Sequence, residues 1–335
     1  MKDKNFKKIL SIIMILMLTL LVFTACGTKS SQSSSQSSQT SQTSEQSKPI
    51  KVAVIVKALN NDYWKIVEAG AKAAGKDLGV EVTVLGPTAE TDVSGQLAMI
   101  EDQITKKVSA LAIAPSQPPS AIPFFEKAKA AGIPVVLIDT DANWDDKVSF
   151  VGTGNYNGGK LAGEFLAKKL GAGGKVVIIR GAMGDPTHDE RTNGAVDVLK
   201  EKGLEIIDIQ PANSERGMGM NVMENILQAH PDVQAVFATN DEMALGAVRA
   251  IQAANKKIIV VGFDGSPDAL KSIAAGELTA SVAQNPYNIG YKGVEAAVKA
   301  AKGEPVDKRI DTGTYLVTKE NVQEEQQKLN QIVGK

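Results

Sequence analysis

Cysteine and histidine are both scarce in this sequence, which limits the chemistry that the chain can perform. Cys26 is the one cysteine, so an intramolecular disulfide is impossible. The two histidines, His188 and His230, are too few to predict a zinc site, and no Asp-rich calcium loop is present. Neither histidine has a Ser or Cys partner beside a predicted strand end. We therefore expect no metal, no cofactor and no enzymatic activity.

Net charge is also small, and it is unevenly distributed. The formal charge is -1, of which residues 1–25 contribute +3, so the remainder carries -4. Binding to nucleic acid requires concentrated Lys and Arg, and we expect no such partner. No helix-turn-helix pattern precedes the body of the chain, which argues against a transcription factor.

The N-terminus has the pattern of an export signal. Four lysines fall within the first eight residues, an apolar run follows over 9–23, and small residues lead to Cys26. This arrangement looks like a bacterial lipoprotein signal, with Phe23 where Leu is usual. The resemblance implies that 1–25 is a signal peptide and that Cys26 is lipidated. An uncleaved membrane anchor is the alternative, and both place the body outside the cytoplasm.

A low-complexity segment separates the signal from the body. Residues 26–49 are dominated by Ser and Gln and offer almost no apolar side chain to bury. Such composition predicts a disordered tether, spanning about 25 Å as a random coil.

From residue 50 onwards, short β-branched runs alternate with amphipathic stretches. The predicted strands are 51–57, 81–85, 110–114, 135–138, 150–152, 175–179, 205–210, 235–238, 258–262 and 280–283. The predicted helices include 63–78, 93–107, 158–170, 193–202, 220–229 and 243–253. Nearly continuous apolar strands joined by helices indicate parallel sheets covered on both faces. There are enough strands for an α/β protein with two Rossmann-like, doubly wound domains.

Polar residues cluster just after the predicted strands, where doubly wound sheets bind ligands. They are Asp, Asn, Arg, Gln and Lys, a mixture that suits hydroxyl groups acting as both donors and acceptors. Each cluster also has a simpler interpretation. Asn60, Asn155 and Asp241 are as well explained as helix caps, and Asp264 before a glycine as a turn. Asp139 and Asp264 could also act as an acid–base pair on a sugar.

The residues around these strand ends resemble periplasmic binding proteins of the ribose/allose/galactose type, which bind sugars for ABC importers. The resemblance covers about 50–317. It rests on the motifs at 59–64 (LNNDYW), 236–246 (VFATNDEMALG), 260–267 (VVGFDGSP) and 283–286 (AQNP).

The resemblance implies a sugar site and its residues. Hydrogen bonds to hydroxyls would come from Asn61, Asp139, Arg191, Asn240, Asp264 and Gln284, ring stacking from Tyr63 and Trp64, and a further contact from Lys57. Lys57 and Trp64 favour an allose-like hexose over ribose. The family's second stacking aromatic is missing after Gln210, so the opposite wall is left to Ser214 or to Trp144, which we expect on a loop surface.

The family also implies two lobes joined by three crossings, at 153–155, 284–286 and 311–313. The N-terminal lobe would be 50–153 plus 286–310, and the C-terminal lobe 154–285 plus 311–335. Asp185 and His188 are expected in a loop before Arg191. They either line the cleft or, as we expect of His188, are exposed. The expected protein is a monomer that delivers a monosaccharide to an ABC permease. A receptor presenting sugar to a chemotaxis or sensor-kinase partner is the alternative.

Overall fold

The computed structural model describes residues 49–333 of the chain. The predicted signal peptide, Cys26 and all of the predicted tether except Pro49 lie outside the described residues. Within the described part, no helix combines the length and the apolar character needed to cross a membrane.

Twelve strands form two six-stranded sheets. The first sheet has the order β11-β5-β4-β3-β1-β2, and all its pairs are parallel. Its strands are β1 (Lys51–Ile55), β2 (Glu81–Leu85), β3 (Ala110–Ile113), β4 (Val135–Ile138), β5 (Phe150–Gly152) and β11 (Arg309–Asp311).

The second sheet has the order β12-β10-β9-β8-β6-β7, with only the β10–β12 pair antiparallel. Its strands are β6 (Lys175–Arg180), β7 (Glu205–Pro211), β8 (Ala235–Ala238), β9 (Ile259–Asp264), β10 (Ala280–Ala283) and β12 (Tyr315–Thr318). The expected α/β fold with two mostly parallel sheets is confirmed.

Ten helices among the described residues cover both faces of the sheets. They are α1 (Asp62–Leu78), α2 (Val93–Thr105), α3 (Pro118–Ala130), α4 (Asn155–Leu170), α5 (Pro186–Glu201), α6 (Arg216–Ala229), α7 (Asp241–Ala253), α8 (Pro267–Ala275), α9 (Pro286–Ala301) and α10 (Val322–Val333). The central strands, such as β3, β4 and β8, are buried along their whole length. Each fully buried Val or Ile side chain contributes about 1.5–3 kcal/mol.

Three helices begin at least three residues earlier than the sequence pattern predicts. The pattern predicts helices at 158–170, 193–202 and 220–229, whereas α4 begins at Asn155, α5 at Pro186 and α6 at Arg216. The amino end of α5 is set by Asp185, whose carboxylate accepts from the Thr187 amide at 2.9 Å, and by a proline in the first turn. Apolar periodicity begins only after this polar first half, which is why the pattern misses it.

Close packing of α4 against α5 depends on glycine. A Cβ built on Gly159 would lie 2.1 Å from the Arg191 carbonyl oxygen, and one on Gly194 would lie 2.0 Å from the Tyr156 carbonyl oxygen. The absent side chains allow the two helix backbones to touch. This contact brings Asn155, in the first turn of α4, beside the guanidinium of Arg191.

We predict that Gly159→Ala lowers the free energy of unfolding by about 3 kcal/mol or more, because the new methyl group would push α5 away. Urea unfolding followed by circular dichroism measures the change. Gly217→Ala on α6 is the matched control, since a Cβ there meets nothing within 4 Å. The control should be neutral or stabilise by up to about 1 kcal/mol. Equal stability of the two variants would contradict this account of the helix contact.

Candidate functional site

The carboxyl ends of strands from both sheets face one cavity, which we call the strand-end cavity. It encloses about 450 Å³, part of it open to solvent. All nine side chains predicted for the site line it: Lys57, Asn61, Tyr63, Trp64, Asp139, Arg191, Asn240, Asp264 and Gln284. Six further residues complete the lining: Glu90, Thr187, His188, Asp241, Glu242 and Ser266. The structure therefore brings together residues that are up to 227 positions apart in the sequence.

Asp139 is the central acceptor on the side of the first sheet. The Tyr63 hydroxyl donates to its Oδ2 at 2.5 Å, and the Thr140 hydroxyl donates to its Oδ1 at 2.9 Å. Burial and the neighbouring Asp139 carboxylate raise the pKa of Tyr63 well above its usual value, so the phenol stays a donor. Asp139 directly follows β4 and lines the cavity. Its φ of 60° is a left-handed conformation, which costs some strain energy in a residue other than glycine.

Trp64 is fixed by Glu90, which the sequence analysis missed. The indole Nε1 donates to Glu90 Oε1 at 2.8 Å, and the Trp64 ring meets the Tyr63 ring edge-on at 5.0 Å. Burial raises the pKa of Glu90, although Lys57 and the indole oppose the shift. Glu90 follows the end of β2 by five residues, so the strand-end rule could have indicated it.

Lys57 is a buried cation surrounded by carboxylates. Its ammonium is paired with Asp185 and lies 3.8 Å from Asp139 Oδ1. Burial alone would lower the pKa of Lys57, but Asp185, Asp139 and Glu90 outweigh it and raise the pKa. The side chain therefore carries its charge at neutral pH.

Arg191 is the corresponding cation on the side of the second sheet. Its Nε donates to Asn155 Oδ1 and its Nη1 to the Thr239 carbonyl, both at 2.9 Å. Its guanidinium stacks on the Phe263 ring at 3.9 Å, and Nη1 lies 3.6 Å from Asp264 Oδ1. None of the hydrogen bonds within residues 49–333 uses Nη2, which leaves this amino group as a donor for a ligand.

A chain of hydrogen bonds joins the two sheets next to Arg191. The Thr153 hydroxyl donates to Gln284 Oε1 at 2.6 Å, and Gln284 Nε2 donates to Asp264 Oδ1 at 2.7 Å. Burial raises the pKa of Asp264 well above its usual value, with Arg191 opposing the shift. Its φ of 130° is unusual for a residue other than glycine, as expected where a site stores backbone strain.

Capping and lining turn out to be compatible roles. Asn61 and Asn240 cap α1 and α7 by accepting from the Trp64 amide at 3.3 Å and the Met243 amide at 3.0 Å, and both also line the cavity. Among the three residues that the sequence explained equally well as caps, none is a cap. Asn60 is exposed, Asn155 binds Arg191, and Asp241 accepts from the Ser266 amide and the Ser281 hydroxyl, each at 2.7 Å.

His188 corrects a prediction. It is not an exposed loop residue, since it lies on α5 and is 4% exposed. Its Nδ1 is 2.8 Å from the Thr239 hydroxyl and its Nε2 is 3.0 Å from the Ser214 hydroxyl. Burial lowers the pKa of His188 to about 3, against the influence of Asp185. The imidazole is therefore neutral at physiological pH.

Neither candidate for the second stacking wall lines the cavity. Ser214 is held by His188, and Trp144 is buried in the core beneath the first sheet, 5.4 Å from Phe125, with its indole donating to Glu126 at 2.6 Å. The expectation that Trp144 packs on a loop surface is wrong. Among the described residues, the aromatic rings that line the cavity are those of Tyr63 and Trp64.

One group of metal-ligating side chains occurs in the described part of the chain. Glu90, Asp185 and His188 each place one ligand atom within 4.8 Å of the others. The Lys57 ammonium already pairs with Asp185, so this group does not require a metal ion to balance its charge. The predicted absence of a metal site stays a prediction.

Comparisons with known proteins identify the family of this chain. The model of the periplasmic binding protein domain matches residues 52–305. The chain belongs to the periplasmic binding protein family.

Its relatives include the ribose import binding protein RbsB of Salmonella typhimurium, 40% identical over 80% of this chain and 90% of that protein. The D-allose-binding periplasmic protein of Escherichia coli is 35% identical over 76% of this chain and 87% of its own length. A carbohydrate transporter solute-binding protein from Agrobacterium radiobacter, solved with D-arabinose, is 36% identical, with a TM-score of 0.79 over 84% of this chain and 98% of that one. These relatives are binding proteins and not enzymes. They confirm the expectation that the chain is not an enzyme, and they confirm the type I periplasmic binding protein fold.

The buried neutral imidazole predicts a pH dependence of stability. In the unfolded chain His188 titrates near its ordinary pKa of 6.5, whereas the folded value is about 3. Between these values the unfolded state binds the extra proton, so the contribution of His188 to stability falls as the pH falls from about 7 towards 3. At pH 5 this contribution is about 2 kcal/mol lower than at pH 7.5. Asp241 acts in the opposite direction, because burial raises its pKa to about 7 and the folded state then binds the extra proton.

His188→Gln keeps a donor and an acceptor and should remove the His188 contribution, so that the variant loses less stability than the parent, or gains more, between pH 7.5 and 5 in urea unfolding. His230→Gln, at the chain's other histidine, is the matched control and should leave the slope unchanged. Parallel profiles for the parent and His188→Gln would contradict the buried neutral assignment.

Proposed function

We propose that this protein binds a monosaccharide, a hexose or pentose, outside the cytoplasm and delivers it to an ABC importer. The observation that carries the proposal is the strand-end cavity, where side chains from both sheets present alternating hydrogen-bond donors and acceptors beside two aromatic rings. A sugar needs this combination, because each hydroxyl both donates and accepts and the ring carries apolar C–H faces.

Each part of the lining has a role in this proposal. Asp139 and Asp264 accept hydrogen bonds from hydroxyl groups of the sugar, and the free amino group of Arg191 donates to sugar hydroxyls. The amide side chains of Asn61, Asn240 and Gln284 complete the polar contacts. Lys57 adds a donor at the corner of the cavity nearest β1.

Tyr63 and Trp64 form the ring-stacking wall on one side. Their planes are 88° apart, so the two rings cover different parts of the ligand instead of stacking on each other.

The ligands of related proteins support a neutral polyhydroxyl compound. Solved relatives from Actinobacillus succinogenes and Bacillus halodurans hold D-allose and myo-inositol respectively, and are 30% and 31% identical to this chain. Both compounds are small and uncharged and present a ring of hydroxyl groups. A compact cavity lined by acids, amides and one guanidinium suits this class.

Delivery requires a signal that the sugar is bound, and closure of two lobes supplies it. The proposed lobes are 50–153 plus 286–310 and 154–285 plus 311–335, with crossings at 153–155, 284–286 and 311–313. A sugar that touches both lobes stabilises the closed form, because only that form satisfies all its hydroxyls. The Thr153–Gln284 hydrogen bond, which joins two of these crossings, supports a hinge there.

The protein's place at the membrane rests on its N-terminus. We infer that Cys26 is lipidated after cleavage of 1–25, and that 26–49 tethers the folded body to the outer face of the membrane. A chemotaxis or sensor-kinase partner could recognise the same closed form. We assign a permease as the partner because the related proteins include import binding proteins.

A thermal-shift screen of the full chain against pentoses, hexoses and inositols tests the ligand class. A true ligand at a hundred times its Kd should stabilise the protein by about 2.7 kcal/mol. Arg191→Lys removes the fork of donors but keeps the charge, and should abolish most of this shift. Arg249→Lys, on the exposed face of α7, is the matched control and should retain it. No shift with any sugar in the parent would overturn the proposal.

The anchor is tested by the intact mass of the protein purified from membranes. We expect a chain that lacks 1–25 and carries acyl groups on Cys26, whereas Cys26→Ser should carry none. Thr28→Ser, two residues away, should be acylated like the parent. Retention of 1–25 in the parent would identify an uncleaved anchor instead.

A further inference from the structure

One short segment of the second half of the chain reaches across the strand-end cavity to the first half. This segment, residues 183–187, comprises the end of the loop after β6 and the first turn of α5. It makes four polar contacts with residues that follow strands of the first sheet. Gln117 Nε2 donates to the Met183 carbonyl at 2.9 Å, and the Thr140 and Thr187 hydroxyls are 3.0 Å apart. The other two come from the Lys57 ammonium, which is paired with Asp185 and donates to the Thr187 hydroxyl at 3.4 Å.

The ion pair is the one of these contacts in which two charged groups are fully enclosed. Lys57 is 3% exposed and Asp185 is 2% exposed. Charged pairs shielded from water interact far more strongly than surface pairs, and losing one partner of such a pair is costly. The pair joins the end of β1 to the amino end of α5, two elements that belong to different sheets.

Asp185 divides its two oxygens between two tasks. Oδ1 accepts from the Thr187 amide at 2.9 Å and from the Thr187 hydroxyl at 2.6 Å, which caps α5 within its own half of the chain. Oδ2 is bonded to Lys57 across the cavity. One task therefore maintains the helix, and the other connects the two halves.

The two partners differ in how much they depend on this contact. Lys57 also has Asp139, at 3.8 Å, and Glu90 as acidic neighbours on its own side of the cavity. Asp185 has only the neutral imidazole of His188 and the Thr187 donors on its side. Lys57 and the cap together hold the pKa of Asp185 at about 2, against the opposing effect of burial. The closed cavity thus provides Asp185 with a cation that its own half does not supply.

We propose that residues 183–187 act as a latch, in which Asp185 pairs with Lys57 when the cavity closes and so helps the sugar to stabilise the closed form. This proposal deepens the function proposed above, because it identifies Asp185 as a residue that raises sugar affinity without having to contact the sugar. When the competent state is only partly populated, the apparent Kd rises in inverse proportion to its population. A latch that raises the population of the closed state therefore lowers the Kd.

Asp185→Asn separates the latch from the cap. The asparagine Oδ1 can still accept from the Thr187 amide, since Asn caps helices as well as Asp does. Its Nδ2 would present a donor to the Lys57 ammonium in place of an acceptor, so the cross-cavity contact is lost. Lys57 keeps Asp139 and Glu90 and does not become an isolated buried charge. The matched control is Asp146→Asn, which removes the exposed partner of Lys129 on the first half of the chain.

The distance between the two proposed lobes reports directly whether the cavity is open or closed. Spin labels are placed at Ser120→Cys on α3 and Lys200→Cys on α5, both exposed positions, in the full chain carrying Cys26→Ser. Pulsed electron resonance without sugar should show a minor short-distance population, beside a main long-distance one, in the parent and in Asp146→Asn. Asp185→Asn should remove most of the short-distance population. Identical distance distributions in Asp185→Asn and the parent would overturn the latch.

Sugar binding gives the second readout. Calorimetry should show a Kd about tenfold weaker in Asp185→Asn than in Asp146→Asn, with urea unfolding confirming that both variants fold. An unchanged Kd would contradict the proposed link between latch and affinity. Because the distances are measured without sugar, the latch can fail while the sugar assignment stands, and the absence of any sugar ligand would leave the distance result intact.

Discussion

Compensation of buried charge is the constraint on which the strand-end cavity depends. The two cations in its lining, Lys57 and Arg191, are both buried, and neither could remain so without acidic partners. Lys57 takes its partners from both sheets, whereas Arg191 pairs with Asp264 of its own sheet. The first arrangement couples the two halves of the chain, and the second prepares a rigid binding surface.

The position of Arg191 in that surface is set by the packing of two helices. Arg191 reaches its position only because Gly159 and Gly194 allow α4 and α5 to pack with their backbones in contact. The same contact brings in Asn155, which fixes the guanidinium from one side while Phe263 supports its face. Helix packing therefore sets the direction in which the free amino group points, and a ligand meets a donor that has already lost its conformational freedom.

Much of this could be read from the sequence, for identifiable reasons. The strands are short β-branched runs, and parallel sheets gather their carboxyl ends at one edge, so the strand-end rule predicts where the site lies, whereas the resemblance to the family identifies its nine residues. It could not reveal that Asn61 and Asn240 both cap a helix and line the cavity, because the two roles use different atoms of one amide.

The failures have a common origin in long-range packing. Periodicity does not detect the polar first half of α5, so the sequence pattern predicts a loop where His188 lies in a buried helical turn. The sequence likewise predicts a surface position for Trp144, because nothing nearby in the sequence indicates Phe125 and Glu126 as its partners. Contacts between residues distant in sequence decide burial, and local patterns do not encode them.

The balance of charge also bears on which ligands the cavity accepts. Its carboxylates outnumber its cations, yet most of them accept from neutral donors: Asp139 from Tyr63, Glu90 from Trp64, and Asp241 from Ser266 and Ser281. An anionic sugar would add a charge to a lining that is already acidic and would have to displace Asp185 from Lys57 or Asp264 from Arg191. A neutral polyol can use the remaining lone pairs and the free guanidinium hydrogens without disturbing either pair, since it brings donors and acceptors in equal measure. Electrostatic compensation within the protein thus selects for an uncharged ligand before shape complementarity distinguishes one sugar from another.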